Sequence, residues 1–220
     1  MMFAFARKAF VPHAELPYHY RAEQVMVMPS TQPRRWTVRE VSHLIEARPA
    51  YTPRYELVDG ELLVTPAPTR WHQRVIIQLA FRLQPYVAAQ RVGELLLGPD
   101  VRLREGTLFE PDLCVVPAPD GRLDKKSNPI SHPLLICEAL SPSSVRHDRF
   151  TKRRAFQRDG LPDYWVVDSE ARTFEVWHPG DEEAAVIDER LTWRPHGCTV
   201  PFELDVKAFF AEIADGAPIR

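Results

Sequence analysis

The sequence predicts an α/β (α+β) domain: a mixed sheet flanked by helices, with an αβββαβ order of elements after an N-terminal hairpin. Three observations carry this. Apolar runs of strand length alternate with two stretches of helical periodicity, which is the pattern of a sheet covered by helices. Asp59-Gly60, set between two apolar-rich arms, is a strong short-range hairpin signal. Hydrophobic residues make up 45% and charged residues 26% of 220 residues, a globular composition and a length that suits one sizeable core with a tail.

The elements follow in order. Residues 1–35 hold Pro12, Pro17, Pro29 and Pro33 without sustained periodicity, and read as a Pro-rich arm ahead of a single domain at 36–215. Thr37 is placed to cap a short helix through Val41, Leu44 and Ile45, with Glu40 as its capping-box partner, and Pro49 and Pro53 end it. YELVDGELLV (55–64) is the hairpin. From His72 to about Ala89, the positions Val75, Ile76, Leu79, Ala80 and Leu83 line one helical face, and Pro85 should bend or end it. Three strand-like runs come next, at 93–103, 111–116 and 133–140, the last two separated by the polar loop DGRLDKKSNPISH. SPSS then leads into a helix from about Val145 to Asp159, closed by Gly160 and Pro162. DYWVVD (163–168) and RTFEVWH (172–178) form a further strand pair, and weaker signals continue beyond Pro179.

Composition excludes some partners. With 28 Lys and Arg against 30 Asp and Glu, the net charge is −2, so any attraction to nucleic acid must come from a local site. No apolar run nears the roughly 20 residues that cross a bilayer. The opening MMFAFARKAF places its charge after its apolar stretch, the reverse of a secretory signal, and a cytoplasmic location is expected. Cys114, Cys137 and Cys198 have no metal-ligand spacing. The first two sit in apolar runs, on opposite sheet faces if their strands are neighbours with Asp112 and Glu138 facing one cleft, and read as reduced core residues.

Two carboxylates interrupt the apolar strands. Asp112 opens one just after Pro111, and Glu138 stands near the end of PLLICEAL. A charge in a buried strand costs several kcal/mol unless it is paired or binds a metal. If both acids face one cleft, a divalent ion could bridge them, and such oxygen ligands suit magnesium or manganese. A strand-end cap for Asp112 and an arginine partner for Glu138 would explain the same positions. In the next helix Arg146, Arg149, Lys152 and Arg153 recur at three- and four-residue steps, which on a regular helix makes one cationic face.

Taken together, YELVDGELLV, His72 opening a helix, PDLCVV, CEALSPSS, DRFTKRRAFQRDGLPDYWVVD and RTFEVW resemble the Uma-type restriction endonucleases, a branch of the PD-(D/E)XK nuclease superfamily long labelled a domain of unknown function. The likeness spans roughly residues 36–180. It implies a restriction-endonuclease-like core and an endonuclease that hydrolyses phosphodiesters, in DNA, with Mg2+ or Mn2+. Pro111-Asp112 resembles the PD element and Glu138-Ala139-Leu140 the (D/E)XK element. Leu140 stands where the lysine should be, and Lys152 matches a lysine relocated to the following helix. The resemblance thus assigns Asp112, Glu138 and the carbonyl of Ala139 to the metal, and Lys152 to the attacking water or the transition state. Glu56 is the additional acid from the hairpin, with Glu61 the weaker claimant. His72 also matches a family position, though a helix-start histidine is commonly a cap or packing residue. A homodimer would suit cutting both strands. The alternatives are a nucleic-acid-binding or regulatory protein without cleavage, and a protein-interaction domain using the arm with Trp36 and Trp71.

Overall fold

The structure is a computed structural model that describes residues 34–215 apart from 49, 51 and 118–128. The Pro-rich arm as far as Pro33 and most of the polar loop before Pro129 therefore lie outside the described residues.

Helix α1 (Val38–Ala47) starts where the capping box places it. Thr37 Oγ1 accepts from the Glu40 N–H at 3.3 Å, and Glu40 Oε2 accepts from the Thr37 N–H at 2.9 Å. Strands β1 (Arg54–Val58) and β2 (Glu61–Thr65) form the hairpin, with Glu56 opposite Leu63. Asp59 and Gly60 both take positive φ, 52° and 82°, as a two-residue turn matching strand twist requires. The two-residue strand β4 (Thr107–Leu108) adds to β1 and completes a small sheet.

Helix α2 (Arg70–Ala89) begins two residues before the expected His72, because the Thr69 hydroxyl accepts the His72 N–H at 3.2 Å. Pro85 does not end it. The ring removes one backbone donor, but Leu83 and Val87 on either side are fully buried, and their packing holds the helix to Ala89.

The main sheet has six strands in the order β3-β5-β6-β7-β8-β9. They are β3 (Gly93–Leu96), β5 (Leu113–Pro117), β6 (Leu135–Ala139), β7 (Asp163–Asp168), β8 (Thr173–Trp177) and β9 (Ala185–Ile187). Only β6 and β7 run parallel, joined by the helical crossover, so the sheet is mixed. The expected strand at 93–103 is cut short at Leu96. Gly98, at φ 60°, and Pro99 turn the chain, and Val101 makes only isolated bridges to Phe109 and Ile130.

Alternation along β5 and β6 sends Leu113, Val115, Leu135 and Cys137 to one face. There they pack with α2, the hairpin β10 (Arg190–Trp193) and β11 (Phe202–Asp205), and helix α4 (Val206–Ala214). Cys114 and Ile136 point to the other face, toward Phe109, Phe156 and the β1–β2 hairpin. The buried Cys114 and Cys137 are thus on opposite faces, and both are free thiols.

Between β6 and β7 the chain is helical from Val145 to Arg158, but not uniformly. His147–Lys152 is a π-helical stretch that runs into α3 (Arg153–Arg158). Phe156 anchors this segment, its ring centroid 4.6 Å from Phe109 and 4.9 Å from Tyr164. The widened turn breaks the single cationic face expected from three- and four-residue spacing. Lys152 points inward, Arg149 pairs with Asp168 and Glu175, and Arg153 lies over the Trp177 ring.

Candidate active site

The β5–β6 register sets Leu113 opposite Cys137, so Asp112 and Glu138 come abreast one step further on. Each reaches across to the other strand. The Asp112 N–H donates to Glu138 Oε2 at 3.2 Å, and the Ala139 N–H donates to Asp112 Oδ2 at 2.9 Å. Both acids are almost fully buried. The hairpin supplies Glu56, buried as well, whose Oε1 accepts the Glu110 N–H at 3.0 Å. Lys152 enters from the π-helical stretch. Its Nζ lies 2.8 Å from Glu56 Oε2, 2.9 Å from Glu138 Oε1 and 3.1 Å from Asp148 Oδ1. Glu56, Asp112, Glu138, Ala139 and Lys152, though far apart in sequence, thus line one cavity of about 180 Å³. Glu61 is solvent-exposed on β2 and takes no part. Leu140 packs partly buried against the second core, outside that cavity.

Three more residues join the cluster. Arg54, two positions before Glu56 and so on the same side of β1, places Nη1 2.5 Å from Asp112 Oδ1 and 3.2 Å from the Glu110 carbonyl. His72 Nε2 lies 2.8 Å from Asp112 Oδ2, a direct site contact rather than a cap. Asp148 is 1% exposed and stands one turn before Lys152. The sequence signals for Arg54 and Asp148 were present: an Arg-x-Glu alternation on a strand, and an Asp–Lys pair four residues apart. Neither is distinguishable from a surface ion pair until the fold shows the side chains pointing inward.

The electrostatics are unbalanced. Four acidic side chains, Glu56, Asp112, Glu138 and Asp148, outnumber the two permanent cations, Arg54 and Lys152, in the cavity that His72 also lines. Burial pushes the Asp112 carboxyl upward, but the bond and charge of His72, then Arg54 and the Ala139 N–H, outweigh it and hold Asp112 well below the usual carboxylate range. For Glu138 burial wins. Despite Lys152, its carboxyl is driven well above the ordinary value, and Asp112, Asp148 and Glu56 add to the rise. Burial alone would lower Lys152, yet Asp148, Glu138 and Glu56 raise it well above a free lysine, so its ammonium stays charged.

This donor set fits a divalent cation. Among the described residues no three His, Cys, Asp or Glu side chains form a ready-made cage. Magnesium, however, typically takes one or two carboxylates and completes its shell with water and substrate phosphate. Glu138, whose carboxyl is raised by burial with Asp112, Asp148 and Glu56 beside it, is the group whose ionised form such an ion would favour. Without it, Arg54 and His72 are the partners of the Asp112 carboxylate.

Residues 42–206 match the family model Uma2, described as a putative restriction endonuclease. The fold is similar to the crystal structure of a putative nuclease belonging to DUF820 from Anabaena variabilis ATCC 29413, with a TM-score of 0.63 and 19% identity over 79% of this chain and 98% of that one. At that identity the likeness speaks for the fold. No curated protein matches the chain.

Proposed function

Because the chain belongs to the Uma2 family of putative restriction endonucleases, we propose that it is a divalent-metal-dependent endonuclease hydrolysing phosphodiester bonds, in DNA, with magnesium or manganese. The observation that carries this reading is the pairing of Asp112 and Glu138 at adjacent strand ends, with the Lys152 ammonium 2.9 Å from Glu138.

Asp112, Glu138 and the carbonyl oxygen of Ala139 would hold the ion. Bound there, it lowers the pKa of a water molecule and offsets the charge of the scissile phosphate. Lys152 acts as a cation. Three surrounding carboxylates keep its proton, so it orients the attacking water or stabilises the charged transition state rather than accepting a proton. Glu56 fixes the lysine through its 2.8 Å contact and ties the hairpin to the site through the Glu110 N–H. Arg54 and His72 hold the Asp112 carboxylate in place and ionised.

Supercoiled DNA incubated with the protein and magnesium or manganese tests the proposal. Nicked or linear product is expected, lost with chelator and in Asp112→Asn and Lys152→Ala. Absence of metal-dependent product at all protein concentrations sinks the enzymatic reading. Steeply salt-dependent binding in that case would favour a non-cleaving nucleic-acid binder.

A further inference from the structure

A second cavity, of about 420 Å³, opens beside the acidic one and shares Thr69, His72, Ser141 and Pro142 with it. Its wall carries Trp71, in the first turn of α2, which is 43% exposed although it belongs to the largest side-chain type. The indole is held in place, since Nε1 donates to Ser169 Oγ at 2.9 Å. A pinned, half-exposed aromatic ring facing a cavity is a stacking platform that needs little ordering when a flat ligand arrives.

The charges say which flat ligand. Arg149, on the same cavity, is spent internally: its Nε lies 2.7 Å from Glu175 Oε1 and an Nη 2.7 Å from Asp168 Oδ2. With Asp168 and Glu170 also on the lining, the cavity has no surplus positive charge and does not suit a phosphate. It offers an aromatic face together with the hydroxyl of Ser169 and the carboxylate of Glu170, which can bond the amino and imino groups of a nucleobase edge. We infer that this cavity receives an unpaired base of the nucleic-acid strand, stacked on Trp71, whose neighbouring phosphate lies at Asp112 and Glu138. The substrate class is therefore single-stranded nucleic acid, or a duplex strand with an unpaired nucleotide at the cut, such as supercoiled DNA supplies where it is locally unpaired. A base inside a duplex has no free face for the ring. The inference rests on the nuclease reading above and names the substrate of the same site.

Binding without cleavage tests it. Fluorescence anisotropy with calcium in place of magnesium compares a short oligothymidylate, a baseless deoxyribose-phosphate oligomer of equal length and a matched duplex, each with wild type, Trp71→Phe and Trp71→Ala. The oligothymidylate should bind wild type more tightly than either the duplex or the baseless oligomer. Trp71→Ala should weaken that binding about tenfold, Trp71→Phe much less, and neither should change binding of the baseless oligomer. Circular dichroism melting checks that the variants fold. Equal losses for the base-bearing and baseless oligomers, or duplex binding as tight as single-strand binding, overturn the base platform. If in addition metal-dependent nicking persists in Trp71→Ala, the nuclease reading stands without it. No affinity for any of the three and no nicking overturn both.

Discussion

Lys152→Met is the most informative single change. It keeps most of the side-chain volume and removes one positive charge from a residue 4% exposed, within 3.1 Å of three carboxylates. Breaking a buried ion pair costs about 3–5 kcal/mol, because the abandoned charge remains buried. In a domain of this size about 1 kcal/mol moves the melting temperature by roughly 2–4 °C, so a fall of about 10 °C is expected near pH 8. The sign of the pH dependence follows from Glu138. Its carboxyl is already raised by burial, and loss of the ammonium raises it further. A group whose folded value is raised contributes most below its unfolded value, near pH 4.3, and that contribution fades as pH rises through the folded value. The deficit should therefore be small at pH 5 and large at pH 8. Adding manganese should stabilise the variant more than the wild type, since the ion no longer competes with the ammonium for Glu138. Scanning calorimetry at the two pH values, with and without manganese, reads all of this, and plasmid nicking reads the chemistry. An unchanged melting temperature at pH 8 would refute the buried cluster, and full nicking activity would refute the role of Lys152.

Three further outcomes follow from the same geometry. Asp112→Asn keeps the shape of the side chain but not its charge, so the thermal stabilisation by millimolar magnesium should largely vanish, and an equal rise in variant and wild type would mean a non-specific ion effect. Manganese affinity by calorimetric titration should strengthen from pH 6 to pH 8, because the raised Glu138 carboxyl must lose its proton to bind the ion, and a flat profile would contradict that rise. Phe156→Ala should cost about 3–5 kcal/mol in urea unfolding and reduce nicking, since the fully buried ring anchors the segment that carries Lys152, and a loss below about 1 kcal/mol would mean the site is held by other contacts.

Local chemistry was legible in the amino-acid order by itself. The Asp-Gly turn, the Thr37 cap, the apolar face of α2 and the αβββαβ order follow from spacing and dihedral preference, which neighbouring residues settle among themselves. Motif order also carried the family likeness and the candidates Glu56, Asp112, Glu138 and Lys152, together with the absence of a lysine at Leu140. What only the tertiary structure decided is where side chains point when their neighbours come from distant segments. Pro85 stays inside its helix because Leu83 and Val87 are buried on either side, a burial set by the sheet and not by the local sequence. Arg54 and Asp148 read as ordinary charged residues until β1 and the π-helical turn aim them at Asp112 and Lys152. His72 changes from a helix-start residue to a partner of Asp112 for the same reason. A charge is indifferent to its position in the chain. Its effect is set by distance and desolvation, and both exist only once strands far apart in sequence have been brought abreast.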